Sequence, residues 1–410
     1  MTGRARACTG AAVVVAFFAG CGGGGSPDLP PEAAIDTTPS RNLPPEAKID
    51  AAPSRGAAPL AVRFDSSSSS DRDGRIVDSR WSFGDGSEDA YGVVVSHVFA
   101  AAGSYRVRLT VIDDQADEAR AECTVTVLPP VNECPAFAAP VAVGTVSDER
   151  INECSGLAWS RTQNVLWLHN DSGDSARVFA ISGNGTLLAV VTLSGATAHD
   201  WEDMAMGPYP GGGDALHIAD IGDNAASRSY VRIYRVPEPA ITGATPQNLA
   251  VANFDSFRLV YPDRPHNAET FMVDPENGDV YIVTKEKDGR STVFAAACPA
   301  NGAVVTMHAV ASLVFGVEPL SGSPLPTGGD IAPDGSMVII RTYNRAFLFR
   351  RPLGGSLADA FAMPPCRVPA PSEYQGEAIA FAADGASYWT LGEGANQSLY
   401  RVDMILPAAP

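Results

Sequence analysis

Short apolar runs, separated by glycine, proline and polar turns, fill most of the chain, and no helical spacing persists long enough to compete with them. Between 138 and 406 the runs recur in a fixed order. A first strand reads Gly156-Leu157-Ala158-Trp159, Asp203-Met204-Ala205-Met206, Thr270-Phe271-Met272-Val273, Asp330-Ile331-Ala332 and Ala378-Ile379-Ala380-Phe381. A second follows each time, at 165–168, 215–218, 280–283, 337–340 and 387–390, and a third carries Phe179, Tyr234, Phe294, Phe347 or Tyr400. Outer fourth strands are predicted near 187–193, 257–261, 306–315 and 357–363, and the last unit lacks one. Repetition at long period marks a radial architecture. The orphan strand at 140–146 can supply the missing edge, so 138–406 is predicted to be an all-β propeller of five four-stranded blades closed by an N-terminal strand. Six blades would need a further unit within the long spacings between 202 and 330.

Residues 46–128 alternate differently. Leu60-Ala61-Val62-Arg63-Phe64, the stretch 76–83, 105–111 and Cys123-Thr124-Val125-Thr126-Val127 predict a β-sandwich with turns between the strands. Trp81-Ser82-Phe83-Gly84-Asp85-Gly86-Ser87, His97-Val98-Phe99 and Gly103-Ser104-Tyr105-Arg106-Val107 resemble the PKD domain. That resemblance implies an Ig-like sandwich used as an extracellular spacer or weak adhesion module. Trp81 then belongs to the core and Gly84-Asp85-Gly86 to a tight turn. Asp71-Arg72-Asp73-Gly74 lacks the later acidic ligands of an EF-hand loop and reads as a solvated turn.

The beginning of the chain reads as an address. Arg4 and Arg6 precede an apolar run at 11–19 that is too short to span a bilayer, the shape of a secretory signal. Phe18-Ala19-Gly20-Cys21 resembles a bacterial lipobox, which implies lipid on Cys21 and anchoring to the cell envelope, at the outer membrane or cell surface. An unused lipobox would leave a secreted protein. Residues 1–20 are then the signal and 21–45 a Gly/Pro-rich tether. Within the tether, 29–42 is repeated by 43–56 with ten of fourteen positions identical, and the first copy reads as spacer. Residues 129–137 read as a linker. Cys123, Cys134, Cys154, Cys298 and Cys366 are an odd number in an oxidising compartment, so at least one is not bridged within the chain, and their spacing does not select a pairing.

Charge sharpens the picture. The 410 residues carry 47 acids against 29 Lys and Arg, a net charge of −18, which opposes capture of nucleic acid. Acids stand at the entry of each first strand: Glu153, Glu202 with Asp203, Glu269, Asp330 and Glu377. The loops after the second strands, which a propeller brings to the same mouth, add Asp171, Asp174, Asp220, Asp223 and Asn224. Counting Asp200, Glu286, Asp288 and Glu393, fourteen acids are expected on one face. Like charges so gathered require raised pKa values or bound cations, and an oxygen-only donor set suits Ca2+. The alternative is that these acids bond to backbone amides at the hub. His169, Asn170, His199, His266, Lys285, Arg341 and Tyr343 interrupt the acidic rim, and Lys285 and Arg341 are predicted at matching blade positions, where they could hold a phosphate or carboxylate. Nucleophilic catalysis has little support, because no GxSxG elbow occurs and no base partner is evident for Ser155 or Ser172.

The strings His169-Asn170-Asp171-Ser172-Gly173-Asp174, Asp200-Trp201-Glu202-Asp203, Asp220-Ile221-Gly222-Asp223-Asn224, Asn267-Ala268-Glu269-Thr270 and Gln375-Gly376-Glu377-Ala378 resemble a family of secreted bacterial propellers. More loosely, the segment resembles phytase-like/YVTN-like propellers, a likeness of form that assigns no individual residue. Two functions are therefore expected. One is a surface-anchored module whose calcium-supported mouth binds a glycan, a peptide or a phosphorylated small molecule. The other is a calcium-dependent, phytase-like phosphoesterase acting on extracytoplasmic phosphoesters.

Overall fold

The computed structural model describes residues 42–243, 246–286, 288–315 and 325–407. Cys21, the signal, most of the tether and most of the first repeat copy lie outside them. Among the described residues, no helix is long and apolar enough to cross a membrane.

The N-terminal module is a two-sheet sandwich. One sheet joins Asp50–Ala52, Leu60–Asp65 and Val94–Phe99; the other joins Arg55–Ala57, Glu118–Leu128, Gly103–Asp113, Ile76–Ser82 and Ala90–Tyr91. Alternation places Leu60, Val62 and Phe64 inward against Trp81, Val107, Leu109 and Val125, all essentially buried. Trp81 donates its indole N–H to Gly92 O at 2.9 Å, satisfying the one polar atom its burial endangers. Gly84 and Gly86 take positive φ on either side of Asp85, which pairs with His97, so this motif is a turn. The second repeat copy supplies the strand Asp50–Ala52 and the first two residues of Arg55–Ala57.

Five further sheets follow in sequence, each running from an inner strand outward. The inner strands are Cys154–Trp159, Trp201–Pro208, Ala268–Val273, Pro326–Ile331 and Gly376–Phe381. Among the described residues each packs on the next and the fifth returns to the first, so these sheets stand as the blades of a closed ring. These strands are buried over most of their length, which explains their nearly continuous apolar reading. The fifth blade is completed by Val141–Val146, antiparallel to Gln397–Ile405, as the orphan strand predicted. Blades one and two gain extra parallel edges, Gln247–Val251 and Val304–Thr306.

One predicted strand is wrong. Leu357–Ala362 is a helix, because Ser356 caps it in a reciprocal box with Asp359 and the apolar residues Leu357, Ala360 and Phe361 share its inner face. The fourth strand of that blade is instead Cys366–Val368. Its Cys366 is bridged to Cys134, across 232 residues, and Cys123, Cys154 and Cys298 are free.

The stretch read as a linker is fixed to the propeller. Ala136–Phe137 pairs with the last strand, and Leu128 is buried among Ala332, Met337 and Ile339. Arg350 donates to Pro129 O at 2.8 Å and Glu133 O at 3.0 Å, while Arg55 donates to Gly385 O at 2.8 Å and pairs with Asp334.

Candidate functional site

A single backbone irregularity builds the mouth. In every blade the inner strand slips register against its neighbour at the same place, between Cys154 and Gly156, Trp201 and Asp203, Ala268 and Thr270, Pro326 and Gly328, and Gly376 and Ala378. The extra residues are Ser155, Glu202, Glu269, Thr327 and Glu377, one bulge per blade, and a bulge re-aims its side chain. Where that side chain is short it ties neighbouring blades: Ser155 Oγ donates to Glu202 O and Thr327 Oγ1 to Gly376 O. Where it is glutamate it adds a nearly buried carboxylate at the same level.

The strand-entry acids therefore do two different jobs. Glu202 and Glu377 make no side-chain hydrogen bond among the described residues, and burial raises both carboxyls, Glu377 to about 8 with Glu269 adding to the effect. Glu269 is lifted to about 7 by burial despite its ion pair with Lys285. Burial also opposes charge on Lys285, but Glu269 holds it protonated well above the usual lysine range, and it donates to Tyr343 Oη at 2.6 Å. Asp203 and Asp330, by contrast, are hub cross-links. Asp203 accepts from Met204 N at 2.8 Å, Phe271 N at 2.9 Å and Gly329 N at 3.1 Å, and Asp330 from Ile331 N and Phe381 N at 2.8 Å each. Both are consumed by backbone amides. Glu153 is exposed at the loop entering the first blade, two residues before its bulge, in the place Asp200 takes in the second.

Asp171, Asp200 and Glu202 converge. Each offers an oxygen, and these lie within 4.8 Å of one another at the seam of the first two blades. Asp200 enters the blade, Trp201 turns into the core, and Glu202 bulges out, so the two acids flank a buried aromatic. Gly222 closes the other side; a Cβ there would collide with Glu202 Oε1 and Asp200 Oδ2. Burial raises the Asp200 carboxyl, with Asp171 next in effect, and raises Glu202 well above the usual range, with Glu269, Asp171 and Asp200 contributing. Three oxygen donors with mutual repulsion fit a hard divalent cation. Calcium takes about six to eight oxygens, which leaves positions for water and for a ligand.

Beside this cluster lies a cavity of about 420 Å³ lined by His199, Asp220, Arg228, Tyr230 and Arg232 among others. Arg228 is bound to Asp220 at 2.8 Å and to Gly222 O at 2.8 Å. Arg232 lies over the Tyr234 ring at 5.8 Å.

The remaining expected site residues are distributed otherwise. His169 is fully buried, hydrogen-bonded through Nδ1 to Asn170 O at 2.8 Å, and burial depresses its pKa. Asn170 braces the loop through Arg150 O and Asp174, which pairs with Arg177. Asp223 caps its own turn by accepting from Ser227 N and Arg228 N, and Asn224 is exposed beside Asn267. His266 is held between Glu286 and Asp263. Arg341 does not match Lys285: the residue in register with Lys285 is Tyr343, and Arg341 is a buried strand residue bound to Glu373 and Ala378 O. The sequence pattern passed over Asp200 as a ligand, together with Glu373, Arg228 and Arg232. The spacing of Asp200 and Glu202 around Trp201 was the available signal.

The family model for the PKD domain matches residues 42–127, the sandwich described above. Residues 42–127 are a PKD domain. A 66-residue stretch, 16% of this chain, is 46% identical to Collagenase ColQ1 of Bacillus cereus (strain Q1), and that stretch is 7% of the collagenase. The PKD1 domain of Vibrio anguillarum Epp is 30% identical, with 22% of this chain and all of that one covered at a TM-score of 0.20. A protein of unknown function from Bacteroides thetaiotaomicron VPI-5482 is 11% identical, with 89% of this chain and 99% of that one covered at a TM-score of 0.36.

Proposed function

We propose that the propeller is a cation-supported binding module for an anionic, extracytoplasmic ligand, carried on the PKD domain as spacer. PKD domains occur in secreted bacterial proteins as adhesion or spacer modules, which supports an exported protein. The observation that carries the reading is the convergence of Asp171, Asp200 and Glu202 beside the cavity of His199, Arg228, Tyr230 and Arg232. Calcium held by the three carboxylates would present open positions to a carboxylate or phosphate oxygen, and Arg232 would meet the same group from the cavity side. The tether, with lipid on Cys21, would hold the module at the envelope surface. Glycan, peptide and phosphometabolite arrays probed with the purified protein test this. Hits that need calcium, vanish in chelator and weaken with Glu202→Gln support it, and hits indifferent to calcium contradict it.

The same juxtaposition of carboxylate cluster and arginines favours a second reading, hydrolysis of a phosphoester with a cation-activated water. Calcium-dependent release of phosphate from phytate or a generic phosphoester supports hydrolysis. No turnover across a broad ester panel removes it.

A further inference from the structure

On the face opposite the acidic mouth, the hairpins after the inner strands of the first and fifth blades border a second, open cavity of about 380 Å³. Its walls are Trp159, Gly183, Asp384, Ser387, Trp389 and Arg401 among others. The two indoles stack with centroids 4.8 Å apart and planes 30° from parallel, and the Arg401 guanidinium lies 5.8 Å from the centre of the Trp389 ring. Trp159 is half-buried, whereas Trp389 is 5% exposed and its indole N–H has no partner among the described residues. Gly183 faces both ring tips: a Cβ there would make ordinary contacts, 3.4 Å from Trp389 Cη2 and 3.6 Å from Trp159 Cη2.

We propose that this cavity binds a neutral pyranose sugar, at a site separate from the cation rim. Trp389 is covered by Trp159 and Arg401, so the half-buried Trp159, backed by Trp389, offers the apolar surface matched to the C–H face of a sugar ring. A buried N–H donor without a partner is rare in native proteins, and a ligand hydroxyl would supply the missing acceptor. Asp384 and Ser387 provide the directional partners that hydroxyls need. Arg401 is already paired with Asp403 at 2.6 Å, so with Asp384 exposed the wall is not cationic and an anion is disfavoured. A dry hydrocarbon ligand would leave the indole N–H unpaired and would make no use of Asp384, one of whose oxygens accepts from Ala386 N at 2.8 Å.

The test uses the full chain in chelator, titrated with methyl β-glucopyranoside, methyl β-N-acetylglucosaminide, cellobiose, chitobiose and maltose, followed by calorimetry and saturation-transfer NMR. At least one probe is expected to bind saturably at millimolar concentration or below, with no need for calcium. Gly183→Leu, which fills the cavity from a position whose Cβ makes ordinary contacts, is expected to abolish binding with an unchanged melting temperature. Asp384→Ala, at an exposed position, is expected to weaken it about tenfold. No saturable binding by any of the five probes overturns the proposal, as does binding that survives Gly183→Leu. Binding that requires calcium and is lost in Glu202→Gln assigns the sugar to the rim and overturns the separate site.

Discussion

Neighbouring acids on one strand, Glu202 and Asp203, should respond to substitution in opposite ways. Asp203→Ala removes the acceptor of three backbone N–H groups, those of Met204, Phe271 and Gly329, in a place with no solvent access. An unsatisfied buried donor costs about 1–3 kcal/mol. Three donors sharing one carboxylate give a loss of about 4 kcal/mol once partial relaxation is allowed. Asp203→Asn keeps an oxygen for Phe271 and Gly329 while presenting an amide to the Met204 N–H. It also removes a carboxyl whose charged form burial disfavours, so its loss is expected near 1–2 kcal/mol. Glu202→Gln loses no side-chain hydrogen bond among the described residues and relieves repulsion from Glu269, Asp171 and Asp200, so in chelator it leaves stability unchanged or raises it. Urea denaturation followed by circular dichroism measures all three. With m of about 3 kcal/mol per molar, Asp203→Ala moves the midpoint down by more than 1 M. Equal midpoints for Asp203→Ala and Glu202→Gln would refute the division into scaffold and site, and so would loss of calcium binding in a folded Asp203→Asn.

The raised carboxyls make a pH prediction. Glu377 and Glu269 hold their protons to about 8 and about 7 in the folded protein against 4.5 when free, so the folded state binds more protons over that window and their contribution falls as pH rises through it. The melting temperature in chelator should decline from pH 5 to pH 8.5, calcium should flatten the decline, and Glu377→Gln should flatten it without calcium. Reducing the Cys134–Cys366 bridge releases a 232-residue loop, worth about 5 kcal/mol on the chain-entropy account, and a reductant should lower the melting temperature accordingly. Arg350→Ala strips the donors from Pro129 O and Glu133 O at the junction of the two domains, and limited proteolysis should then cut within 129–137 faster than in the parent.

The blades were legible because their inner strands are buried throughout, so the apolar runs recur as whole units and the missing edge could be matched to 141–146. The helix at Leu357–Ala362 was misread because six residues are too few for periodicity to separate helix from strand, although Ser356 and Asp359 stood in capping-box positions. The site was legible only as a face. A bulge is a backbone event without a composition of its own, yet it decides that Glu202, Glu269 and Glu377 are equivalent and that Asp203 and Asp330 point into the hub. The same shift of register pairs Lys285 with Tyr343 and buries Arg341. The high negative charge thus resolves into scaffold acids bound to amides and a smaller set held close together without such partners.

Calcium titration of the full chain by calorimetry, alongside Asp200→Asn and Glu202→Gln, tests the central claim most directly. The cation-rim account predicts a saturable binding event that each substitution weakens by at least about tenfold while the far-ultraviolet spectrum stays unchanged. Calcium binding of equal strength in all three proteins, or none at millimolar calcium in the parent, would contradict it.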